Sequence, residues 1–150
     1  MNPTVKNVLA AVLGYVVMVL VVFAMFSLLW VLLGPSGAFQ PGTWEVSPPW
    51  LAGSLALGFL AALLGGAACA RVQADRRGVV ILIALVVVLG IISALPEAAD
   101  VLGPRPDDVG MGEAMTSARQ PAWVAWLNPL IGAAGVYLGA GRRGRAPSSV

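Results

Sequence analysis

Four stretches of the chain are apolar without interruption: residues 8–33, 50–70, 79–95 and 122–140, and no Asp, Glu, Lys or Arg falls inside any of them. Crossing the hydrocarbon core of a bilayer takes about 20 helical residues. The pattern therefore predicts an all-α membrane protein, with four transmembrane helices in a small bundle and a single domain over residues 1–150. The first stretch is about twice the length of a secretory signal's apolar region. It also runs into LLGPSGAF rather than a small-residue cleavage pattern, so it reads as a retained, tilted span.

The connections fit four spans. Residues 34–49, GPSGAFQPGTWEVSPP, are rich in Gly and Pro and predict an extended or turning loop, with Trp30, Trp44 and Trp50 as an aromatic belt at headgroup level. RVQADRRG, residues 71–78, is short and makes spans two and three antiparallel neighbours. The long connection 96–121 carries the acids Glu97, Asp100, Asp107, Asp108 and Glu113. It predicts two short helices, 96–102 with Pro96 in the first turn and 112–118. Residues 141–150 form a tail.

Charge sets the orientation. Lys6, Arg71, Arg76, Arg77, Arg142, Arg143 and Arg145 fall on one side of a four-span arrangement, and only Arg105 and Arg119 on the other. Seven cations against two place both termini in the cytoplasm, with 34–49 and 96–121 as outer loops.

The second span is built from unusually small residues. Ser54, Gly58, Ala62, Gly66 and Ala70 recur every fourth position and share one helical face. Helices in lipid gain little from hiding apolar surface, so association rests on close contact, which small residues permit. The face is read as a contact ridge, and Gly132, Gly135 and Gly139 in span four offer a complementary one. The ridges pack the bundle itself or, alternatively, form the seam of a homo-oligomer or a contact with another membrane subunit. Span three carries β-branched residues on almost every side and is expected to face lipid over most of its circumference, Val86 included.

Composition narrows the chemistry. Only 11% of residues are charged, against a usual quarter, and mean hydropathy is +0.87. Histidine is absent, which removes the commonest general base and metal ligand. The one cysteine, Cys69, cannot form an internal disulfide and is read as a small packing residue. A formal charge of +2 is too small to point to nucleic acid. The first span also has no membrane-embedded carboxylate of the kind expected in small multidrug exporters.

Two candidate sites remain. Asn128 and Pro129 lie inside span four, where proline frees a backbone carbonyl and predicts a kinked but continuous helix. Such breaks also hold ions or substrates in transporters. Asp107, Asp108 and Glu113 offer oxygen ligands of the type hard cations take, without EF-hand spacing, and are read as a solvated loop. Glu97 and Asp100 sit three apart but lack any recognisable nucleophile or pocket.

No catalytic constellation, cofactor or metal is implied. The reading is a non-catalytic accessory, scaffold or self-associating protein whose partners are the bilayer and another copy or membrane subunit. A small transporter or channel using the Asn128–Pro129 break is the alternative. Eight arginines to one lysine, with abundant Ala, Gly and Val, suggest a bacterial inner membrane.

Overall fold

A computed structural model describes residues 2–95 and 103–141, over which the chain forms five helices. Helix α1 (Pro3–Ala38) begins ahead of the apolar stretch because Asn2 caps it. The Asn2 side chain accepts from the Thr4 amide at 3.0 Å, and Pro3 sits where its missing N–H costs nothing. The helix breaks at Gly34, whose φ of 62° is readily adopted only by glycine. One further turn follows, and the Phe39 amide closes it on the Pro35 carbonyl at 3.1 Å.

Helix α2 (Pro48–Val72) starts at Ser47, whose hydroxyl accepts from the Trp50 amide at 3.2 Å and donates to the Gly37 carbonyl. The same residue thus caps one helix and ties it to the end of the other. Helix α3 (Arg77–Ala94), the short α4 (Met111–Ser117) and α5 (Ala122–Gly141) complete the order. All except α4 are long and apolar enough to cross a membrane. Helix α4 overlies the second short helix expected in the long connection, one residue earlier than 112–118; the first, 96–102, lies outside the described residues.

Helices α2 and α3 each lie against both α1 and α5. Near the chain's two ends, Ala10, Ala11, Cys69, Val79, Leu82 and Val136 form one buried apolar cluster. A second cluster gathers at the opposite end, where Ala38, Phe39, Trp44, Val46, Val109 and Ala114 enclose one another. This second cluster is the interior of a folded cap. Two isolated bridges shape it: Phe39 to Val46 folds residues 34–49 back on themselves, and Glu45 to Arg119 stitches them to the segment that precedes α5. The Val46 amide donates to Arg119 at 3.0 Å and the Arg119 amide to Trp44 at 2.8 Å.

Two expectations are corrected here. Trp44 does not belong to a headgroup belt: it is only 8% exposed, and its indole N–H donates to the Gly103 carbonyl at 3.1 Å. Its ring fills the cap, where a loop carbonyl satisfies the N–H that lipid could not. Trp123 and Trp126, at 56% and 51% exposure, are the outward-facing indoles. Val86, expected on a lipid face, is turned inward: its methyl group would lie 2.7 Å from a Cβ placed on Gly132. The outward large residues of α3 are Val80, Ile81, Val88, Ile91 and Ile92.

Candidate functional site

Along α1, Tyr15, Met18, Val22, Phe26 and Trp30 follow a helical three-and-four spacing that puts them on one face, with Val19 and Phe23 beside them. This face forms the floor of a cavity of about 570 Å³. Met111, Ala114 and Met115 of α4, with Ala118 and Gln120 just after it, stand over its cap end. Ala38, Phe39, Val46 and Trp50 complete the wall.

The wall is stiffened by a relay of edge-to-face rings. Phe26 meets Trp50 at 5.9 Å and 83°, Trp50 meets Trp30 at 6.1 Å, Trp30 meets Phe39 at 6.3 Å, and Phe39 meets Trp44 at 5.9 Å. Such contacts hold ring planes in a defined geometry beyond their area burial. Arg105 anchors the last ring: its guanidinium carbon lies 5.4 Å from the Phe39 centroid. The same group donates from Nε to Thr43 at 3.1 Å and from Nη1 to Pro106 at 2.9 Å. Arg105 is buried, so its charge is spent on backbone carbonyls and a ring face inside the cap. It does not point into the cavity.

The cavity carries Gln120 as its one side-chain amide and the Tyr15 phenol as its one titratable group in an otherwise largely apolar lining. Sequence patterning misses it because its floor and roof are far apart in the chain. The one available signal is the aromatic and methionine stripe along a single face of span one.

A polar latch holds the opposite end. Asn7, one turn into α1 and buried, donates from its amide to Asp75 at 3.0 Å. Its carbonyl accepts from the Ala74 and Asp75 amides at 2.9 and 3.2 Å. Asp75 also accepts from the Arg77 amide at 2.8 Å, and the Gln73 side chain from the Val79 amide at 3.0 Å. The turn between α2 and α3 is thereby fixed to the start of α1.

The ridge residues of span two divide by partner. Ala62 faces Gly135, where an added Cβ would lie 2.6 Å from the alanine methyl. Gly66 faces the backbone of Val136, and Gly139 the backbone of Leu63. Ala70 packs against the buried cluster, while the Ser54 hydroxyl returns to the Leu51 carbonyl of its own helix at 2.9 Å. A Cβ on Gly58 would meet nothing within 4 Å. Gly132 turns to α3 rather than α2.

Two close contacts absent from the ridge pattern are Gly14 against Gly65 and Gly90 against Pro129, the latter at 2.6 Å from the ring to an added Cβ. Helix α5 runs through Pro129 without interruption, and the proline is buried against α3. Asn128 shares a face with Val124, Gly132, Gly135 and Gly139, yet it alone of these is exposed.

Cys69 is fully buried. Asp107, Asp108 and Glu113 are exposed, and among the described residues no group of three or more His, Cys, Asp or Glu side chains converges. Glu97, Asp100, Arg142, Arg143 and Arg145 lie outside the described residues. No protein-family model, curated protein or solved structure matches the chain.

Proposed function

We propose that this is an integral membrane protein with a non-catalytic role, acting as an accessory subunit, scaffold or self-associating unit. Four helices of spanning length and apolarity support the membrane placement. The observation that carries the role is the cap. The chain invests Arg105, Trp44, Ser47 and a relay of rings in holding a folded surface at one end of its spans. A surface fixed in this way is suited to being bound, since its polar groups are used to build it rather than to act on a substrate.

The cation count puts the cap outside and the Asn7 latch, with both termini, in the cytoplasm. The arginine-rich, alanine-rich composition favours a bacterial inner membrane. The face of Ala62 and Gly66 serves the chain's own packing against α5, which leaves Gly58, open on that side, as the member of the ridge free to meet a second copy or another subunit.

Extraction in a mild detergent followed by mass measurement of the particle tests this reading. An assembly heavier than one chain with its micelle, dissociated by cap or Gly58 substitutions, is expected. A strictly monomeric particle that moves a solute across liposome membranes would replace the reading with the transporter one. The specific observation favouring that second reading is Asn128, whose amide is exposed on an otherwise buried face of α5.

A further inference from the structure

The cavity between α1 and the cap extends along a length of helix comparable to the depth of one leaflet. From Tyr15 to Trp30 the floor climbs about 22 Å of helix, whereas one leaflet contributes only about 15 Å of hydrocarbon. A floor of that length is long enough to run the depth of the cap-side leaflet. Its flank is open to that leaflet, because Val19 and Phe23 line the cavity and are 49% and 62% exposed. The surface of the cavity is thus continuous with the surface that acyl chains already cover.

We propose that the cavity is a binding site for one acyl chain of a phospholipid in the cap-side leaflet, with the lipid's polar end beside Gln120. Three features carry the assignment. The floor between Met18 and Phe26 is apolar, and polar side-chain groups sit at the ends of the cavity, the Tyr15 phenol at the far end and the Gln120 amide at the cap end, where a lipid's polar end would lie. Met18, Met111 and Met115 supply flexible, polarisable side chains that follow a bent chain. Finally, about 570 Å³ spread over this length leaves a channel narrower than the 10–12 Å that a helix needs with its side chains. A whole helix does not fit inside that volume, and a single chain does.

Contact is the source of selectivity. Moving an acyl chain from bulk lipid into the cavity hides no surface from water, so the gain comes from dispersion contact with the ring relay and from the cap held above it. The inference rests on the membrane placement and is independent of the accessory role.

The test is native mass spectrometry of the full chain, reconstituted with a phospholipid of defined chain length, extracted and stripped of loosely held lipid. One retained phospholipid per chain is expected. Val22→Phe, filling the floor, and Ala118→Phe, filling the roof, should each abolish retention, while Leu20→Phe, on an outward face of α1 outside the cavity, should keep it. Two blocking variants on separate elements guard against misfolding of either one, and melting of each is measured alongside. Equal retention in all variants, or none in the parent chain, overturns the proposal. Retention of a free fatty acid in place of the phospholipid assigns the chain to another source and overturns it too. A dimer that the blocking variants dissociate would give the cavity to a second copy.

Discussion

Gly14 and Gly65 meet backbone to backbone where α1 crosses α2: a Cβ on Gly14 would stand 2.8 Å from the Gly65 carbonyl oxygen, and one on Gly65 would stand 2.7 Å from that of Gly14. Neither position tolerates a side chain unless the helices separate. In lipid, such close approach is the main source of helix association. The first expectation follows. Gly65→Leu should lower stability in detergent by about 1–3 kcal/mol or more for an overpacked contact, read as a lower melting temperature, while Val88→Leu, on the outward face of α3, leaves it unchanged. Equal tolerance at both positions would show that α1 and α2 do not cross here.

Gly58 separates two meanings of the small-residue ridge. Its Cβ position is open within the chain, so Gly58→Leu should leave melting of the single chain near the parent value. Loss of particle mass with melting preserved places a seam between chains at Gly58. A lowered melting temperature without change in mass would show instead that the open space closes in the bilayer and that the whole ridge serves internal packing.

At the other end, Asn7 and Asp75 act as a unit. Asn7→Ala removes one donated and two accepted hydrogen bonds and leaves the Asp75 carboxylate with the Arg77 amide. A loss of roughly 1–3 kcal/mol is expected for a buried polar partner removed in this way. Asn7→Asp should cost more, because it sets a second carboxylate against Asp75. Comparison of Asn7→Ala, Asp75→Ala and the double variant gives the coupling directly, and additive losses would deny the latch.

How much of this was open to reading beforehand depends on the distance over which each feature is encoded. The four spans are legible because a charge in hydrocarbon is so costly that its absence over a whole stretch is a strong signal. The small residues Ala62, Gly66, Gly135 and Gly139 stand out by their four-residue spacing, and the structure sets each close to a facing helix. The inward turn of Val86 is not. A helix that is β-branched on all sides carries no preferred face, and what orients α3 is the opposite helix, through Gly132 against Val86 and Pro129 against Gly90. The cap is hidden for a related reason: the pairing of Trp44 with Arg119 and Gly103 joins segments that are remote in the chain. Asn7 carries a local signal of its own, since an amide one turn into a hydrophobic helix needs a partner that lipid will not supply.

The cap should come apart separately from the spans. Arg105→Met keeps an unbranched apolar stem and removes the donors to Thr43 and Pro106 together with the charge over Phe39. Charge-assisted hydrogen bonds of this kind contribute about 1.5–3 kcal/mol each, so the loops should become sensitive to protease while the helical signal in circular dichroism persists. Intact loops in the variant would mean that the ring relay alone holds the cap.

Asn128 offers the sharpest division between an accessory protein and a transporter. Its neighbours on the same face, Val124, Gly132, Gly135 and Gly139, are buried, whereas it is exposed, so the helices part at its level. It stands six residues into α5, about 9 Å of rise below Ala122, and Pro129 beside it is held against Gly90. An opening at that depth is reached by water only if it connects to the cap side. In a chain with Cys69→Ser, cysteines placed singly at Asp107 and Asn128 should both react with a membrane-impermeant thiol reagent from the outside and not from the cytoplasm. Reaction of the Asp107 position alone would mean that lipid or a partner closes the gap, and the amide would then have no route to a solute. Reaction of either from the cytoplasmic side would invert the orientation read from the cations. If both react from outside and Asn128→Ala changes neither melting nor solute flux, the opening is a blind recess beneath the cap rather than one end of a path.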